Sequence, residues 1–106
     1  MEDNSHAGQG PVVLDIGGDV GAAVVTAPAA LAGTEIEARP VDRPEPRHLP
    51  HVAVLGRPVP GGGVVHSAVF AELPAATYEL ARRPAGPVRL RIAVRGGAVT
   101  DAAWPA

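Results

Sequence analysis

Residues 88–95 read VRLRIAVR, and this stretch constrains the fold more than any other. Val88, Leu90, Ile92 and Val94 alternate with Arg89, Arg91 and, beyond Ala93, Arg95. A period of two puts the apolar side chains on one face and the arginines on the other, as in a strand half-buried on a core. On a helix the same arginines would be scattered around the circumference. The segment TEIEARPV repeats the pattern, with Ile36 inward and Glu35, Glu37 and Arg39 outward. Further strand candidates are VVLDI, VGAAVV, HVAVLG, VVHSAVFAEL, TYELARR and AVTDAAW. Proline and glycine, 12 and 13 of 106 residues, interrupt these runs at short intervals and leave no room for a long amphipathic helix. PAALAG, residues 28–33, fits one short helical turn closed by Gly33. The expected architecture is a single all-β domain, a two-sheet antiparallel sandwich of about seven or eight strands.

That domain is expected over residues 11–106, preceded by a polar disordered tail at residues 1–10, MEDNSHAGQG. Its candidate core is Val13, Ile16, Val24, Ile36, Val54, Val69 or Phe70, Leu73, Tyr78, Leu80, Leu90, Ile92, Val94 and Val99. RPVDRPEPRHLP, residues 39–50, reads as an extended surface loop because proline lacks the ladder donor. RPVPGGG, residues 57–63, reads as a hairpin tip.

Composition excludes several functions. The formal net charge is −2, and every one of the nine basic residues is arginine. No basic footprint for nucleic acid or an anionic membrane is present. Phe70, Tyr78 and Trp104 are the only aromatics, too few for a base-stacking platform. Cysteine is absent, which removes disulfides, thiolate nucleophiles and thiolate metal ligands, and suits a reducing cytoplasm. The N-terminus has neither the basic nor the apolar region of a secretory signal, and no apolar run reaches the ~20 residues of a membrane helix. A cytoplasmic protein without a membrane span is therefore expected.

The motif Asp15-Ile16-Gly17-Gly18-Asp19 resembles the first phosphate loop of actin-like and Hsp70-like ATPases. Asp19 stands where those proteins carry threonine, and a carboxylate beside phosphate is repulsive. That fold also needs several hundred residues and a second phosphate loop. The expected role is a turn joining two apolar runs into a first hairpin. A calcium site would need about six oxygens, more than Asp15 and Asp19 supply.

Of the four histidines, His6 lies in the tail, while His48, His51 and His66 flank the proline loop and the next strand. These three are the candidate metal ligands, for zinc or copper. His51 and His66 lie directly opposite only if the hairpin turn centres between Pro58 and Val59. The glycines favour a centre two or three positions later, which offsets the pair. Arg82, Arg83, Arg89, Arg91 and Arg95 form an arginine row. It either holds an anionic ligand or is a solvated face paired with Glu35, Glu37 or Glu79.

No catalytic residue is assigned. The serines are Ser5, in the tail, and Ser67, which is not in a nucleophile elbow. His66 beside it in a strand would point to the opposite face.

The segment AVFAELPAATYELARR followed by VRLRIAVRGGAVTDAAW resembles prealbumin-like (transthyretin or carboxypeptidase-regulatory-like) β-sandwich domains. Phe70, Leu73, Pro74, Tyr78 and Leu80 match one part of their pattern, and Val94, Gly97, Val99 and Asp101 the other. The resemblance implies that Leu73 plugs one end of a prealbumin/Ig-like sandwich and that Tyr78 forms a tyrosine corner. Ala76 stands where those domains usually have glycine, so the turn is expected to differ if it needs positive φ. The whole chain also resembles a group of small proteins of high-GC bacteria, some labelled phospholipase. No residue constellation here supports that activity. The functional expectation is a non-catalytic binding or accessory module that contacts a protein partner, or a second copy, through a sheet edge. The alternative is a metal-binding or small hydrolytic protein using the histidines.

Overall fold

The alternating segments become eight strands: β1 Val20–Thr26, β2 Glu35–Pro40, β3 His51–Ala53, β4 Leu55–Pro58, β5 Val64–Pro74, β6 Ala76–Arg82, β7 Val88–Val94 and β8 Val99–Ala103. The structure is a computed structural model that describes residues 13–42 and 49–105. The expected tail at residues 1–10 and residues 43–48 of the proline loop, His48 among them, lie outside the described residues. The only helical element among the described residues is the 3₁₀ turn Ala29–Leu31, within the PAALAG segment.

The strands form two four-stranded sheets, ordered β4-β5-β1-β8 and β3-β2-β6-β7. The expected sandwich is therefore present. One pairing departs from it: β1 and β8 run parallel, from Ala22 opposite Val99 to Thr26 opposite Ala103. Every other strand pair is antiparallel.

Two corners carry the chain between sheets. HVAVLG is not one strand. It breaks at Val54, with β3 pairing β2 in one sheet and β4 pairing β5 in the other. Val54 is fully buried at the switch, and its N–H donates to the Thr34 carbonyl at 2.9 Å. The second corner joins β5 to β6 at Ala75. There Leu73 is fully buried and the Tyr78 hydroxyl donates to the Pro74 carbonyl at 2.6 Å. The tyrosine corner and the plug thus form as expected. Among the described residues only Ala85 combines a side chain with positive φ, so Ala76 fits this turn without strain. Tyr78→Phe removes one buried hydrogen bond and keeps the ring. It is expected to cost about 1–2 kcal/mol, read as the shift of the urea midpoint.

The core packs Val25, Phe70, Leu73 and Ala68 of one sheet against Ile36, Tyr78, Leu80 and Ile92 of the other, with Val54 at a corner. Four expected core positions are corrected. Val13 is 82% exposed, because residues 13–16 form no strand; the Asp15 N–H donates to the Ala71 carbonyl of β5. Ile16 is half-buried and outside the core cluster, and Val24 lies half-buried on the outer face opposite Val69; of the alternatives Val69 or Phe70, Phe70 is the core residue. Val99 is exposed on the edge strand β8. Trp104 closes the core at 6% exposure, its backbone N–H donating to the Thr26 carbonyl.

The DIGGD motif is a turn, as expected, but only its second arm is a strand. Gly17 and Val20 exchange both backbone hydrogen bonds at 2.9 Å around Gly18 and Asp19. Gly18 has φ +56°, a conformation glycine adopts at little cost. This turn lies against the turn between β7 and β8. Gly97 N–H donates to the Val20 carbonyl, Ala22 N–H to the Ala98 carbonyl, and Ala75 N–H to the Asp19 carbonyl. Gly96 and Gly21 sit where the backbones touch.

Candidate functional site

At the opposite end of the sandwich, two clefts share Arg82 and Arg89. One, of about 360 Å³, is lined by these arginines, Arg83 and the loop Pro84–Pro87. The other, of about 230 Å³, has an apolar floor of Pro28, Leu31, Trp104 and Pro105.

Strand parity and one bulge place the two shared arginines. Tyr78, Leu80 and Arg82 follow one another on the face of β6 that meets the core, and β6 ends at Arg82. The last inward position therefore projects past the core instead of into it. In β7, Leu90 pairs with Leu80 but Val88 pairs with Ala81, so Arg89 is an extra residue. A bulge of this kind re-aims a side chain. It takes Arg89 out of the outward row with Arg91 and to the end cleft beside Trp104.

The loop between them is tied down. Gly86 N–H donates to the Arg82 carbonyl at 2.8 Å, and a Cβ at Gly86 would come within 2.6 Å of that same oxygen. Arg39 Nη2 donates to the Gly86 carbonyl at 3.4 Å, while its Nε pairs with Glu37. Ala85 has φ +86°, in a region L-residues occupy at a cost. Ala85→Gly is expected to raise stability by up to ~1 kcal/mol, measured from the thermal midpoint.

The arginine row divides by partner. Arg91 pairs with Glu79 at 2.9 Å across β6 and β7. Arg83 pairs with Glu35 at 3.2 Å and reaches Glu37 at 3.7 Å. These are the expected cross-strand pairings, and such partly exposed pairs contribute at most about 1 kcal/mol each. Among the described residues, Arg82, Arg89 and, at the other end of β7, Arg95 have no ion-pair partner; only Arg82 and Arg89 share a cleft.

The histidines occupy different places. His51 pairs with Glu37 in the β3–β2 ladder, and its exposed ring meets the Leu49 carbonyl at 3.1 Å. His66 pairs with Gly56 in the β4–β5 ladder, with its ring over that glycine. The β4–β5 hairpin has Pro58 opposite Val64 and the glycines at its tip, the later centre that offsets the two histidines. Among the described residues no group of three His, Asp or Glu side chains is placed to hold a metal. His51 and His66 ring signals are expected to respond to zinc or copper independently in an NMR titration.

Ser67 is buried and its hydroxyl accepts from Arg57 Nε at 2.9 Å. Desolvation lowers the pKa of that guanidinium from its ordinary value. His66 lies on the other side of the strand, half-buried. No helix among the described residues is long and apolar enough to cross a membrane.

The sequence offered Arg82 and Arg89 only as members of a row that either holds an anion or is a solvated face, and did not bring the two together in an end cleft. Arg89 read as part of the outward row, and the bulge that removes it has no local signature. Arg82 was legible in principle: extending the alternation Tyr78, Leu80 by one step puts an arginine on the core side. Comparison with family models, curated proteins and solved structures returned no match.

Proposed function

We propose that this protein is a non-catalytic binding or accessory module that takes up a strand from a protein partner, or from a second copy, along the outer edge of β7. The supporting observation is the unequal length of the edge strands. β7 has seven residues, against three in β3, four in β4 and five in β8. β4 also ends in Pro58, which has no N–H to offer. An edge strand presents unpaired backbone groups, and an extended peptide can complete them.

One end of the β7 edge is already used, because Thr100 Oγ1 donates to the Ala93 carbonyl at 2.7 Å. That bond has a second meaning. In an antiparallel pair alternate residues turn their backbone groups away from the partner, so Arg91, two residues earlier, directs its own N–H outward as well. The open part of the edge therefore runs from Val88 to Arg91. The Leu73–Tyr78 corner supports reading the module as prealbumin-like. A bacterial, cytoplasmic setting belongs to the same proposal and agrees with the absence of cysteine.

Arg91→Pro tests this reading. Proline removes the outward N–H and no bond of the β6–β7 ladder, so the melting temperature is expected to change little while association is lost. Sedimentation over a range of protein concentrations, with and without a candidate partner, reads the association. A variant that associates as the parent does would refute the edge reading.

A further inference from the structure

We infer that the end cleft is an acid clamp, in which Arg82 and Arg89 take a carboxylate of an acidic peptide segment above an apolar floor of Trp104 and Leu31. This rests on the edge reading and supplies the partner's chemistry. Four observations converge on it.

The first is charge. Arg39, Arg83 and Arg91 each have a glutamate. Arg82 and Arg89 have none among the described residues, and no carboxylate lines either cleft they share. Glu35 and Glu37, the acids of β2 that flank Ile36 opposite Arg82, are already paired with Arg83 and Arg39. Two unpaired guanidiniums so placed repel one another, and a bound anion relieves that repulsion.

The second is geometry. The β7 bulge takes Arg89 out of the outward row and brings it to the same cleft as the inward-parity Arg82. Guanidinium groups from adjacent strands suit a carboxylate, which accepts hydrogen bonds on both oxygens.

The third is the floor. Trp104 and Leu31 give the cleft an apolar surface that a free inorganic anion does not use. A segment with a carboxylate and a neighbouring aliphatic side chain uses both surfaces. The fourth is position. Arg89 belongs to the same strand whose open edge begins at Val88. A strand added along Val88–Arg91 would reach the cleft without leaving the edge.

The test uses the full chain and three probes: a capped peptide Val-Glu-Val-Glu-Leu-Glu, the same peptide with glutamine for glutamate, and inorganic phosphate. Trp104 is the single tryptophan, so its fluorescence and indole signal report the cleft. Backbone amides of β7 report the edge. The acidic peptide is expected to move both reporters, with an affinity that falls as salt rises. The glutamine peptide is expected to bind at least about tenfold more weakly, because charge-assisted hydrogen bonds are lost. Arg82→Gln with Arg89→Gln is expected to remove about the same factor at an unchanged melting temperature, since both side chains are exposed.

If both peptides bind β7 equally and Trp104 does not respond, the clamp is overturned and the edge reading stands. If the acidic peptide moves Trp104 but no β7 amide, the clamp stands and the edge reading falls. If phosphate fills the cleft and the acidic peptide does not, the peptide assignment is overturned in favour of a small-anion site.

Discussion

Gly96→Ala is expected to lower the melting temperature by more than ~10 °C, corresponding to about 3 kcal/mol in a domain of this size. A Cβ at Gly96 would lie 1.8 Å from the Gly18 carbonyl oxygen and 2.9 Å from its carbon. Neither atom belongs to a flexible side chain. Both are backbone atoms of a turn held by two hydrogen bonds of its own and by Ala75 N–H on the Asp19 carbonyl. The two turns would have to separate, and the bonds from Gly97 to Val20 and from Ala22 to Ala98 would separate with them. The adjacent Gly97 is the control. It has φ +73° and nothing within 4 Å of a built Cβ, so Gly97→Ala meets only backbone strain, about 1–2 kcal/mol. Thermal unfolding of the two variants side by side separates close approach from conformational preference. Equal shifts would show that the turns do not touch through Gly96.

Leu73→Ala is expected to cost about 3 kcal/mol, within the range for buried leucines that leave a cavity. Leu73 is fully buried and sits two residues before Ala75, the corner that moves the chain from one sheet to the other. The corner cannot readily collapse into the space. The Tyr78 hydroxyl is bonded to the Pro74 carbonyl, and Leu73 itself is in register with Gly21, whose backbone lies against Arg95 and Ala98. Chemical denaturation reads the change directly. A loss below about 1 kcal/mol would mean that the corner relaxes and that the leucine does not set its geometry. By contrast Val13→Ala, at a residue the structure leaves exposed, is expected to change stability by less than about 0.5 kcal/mol in the same assay.

What was legible in the sequence follows from what leaves a local trace. The strands β2, β6 and β7 alternate apolar and charged residues, because their outer faces carry ion-paired side chains such as Glu37, Glu79 and Arg91, and a period of two is visible in any short window. β1 does not alternate. Gly21, Ala22 and Ala23 are all buried, and small residues there answer a close approach by the turn at Arg95–Ala98, seventy-odd positions away in the chain. The parallel pairing of β1 with β8 is just as non-local. The break of HVAVLG at Val54 was hidden because a run of apolar residues looks the same whether it stays in one sheet or passes between two. The tyrosine corner was legible because it depends on residues close together, Pro74 and Tyr78. The end cleft was not, since its arginines come from two strands and its floor from a 3₁₀ turn and the residues after β8. The glycine-rich tip at residues 61–63 set the hairpin register that puts His66 opposite Gly56, and the break at Val54 put His51 in the other sheet.

The parallel alignment of β1 and β8 has a mechanical consequence. The chain enters β1 at one end of the sandwich and leaves β8 at the other, and the two strands are hydrogen-bonded along five residue pairs. Tension applied between Val20 at the start of β1 and Ala103 at the end of β8 therefore runs along the strands and not across them. It loads all five pairs at once, in shear, whereas a terminal antiparallel hairpin would open one pair at a time. Two strands wired in this way resist pulling along their length, while the turn at Gly17–Val20 carries the chain before β1 back beside β5.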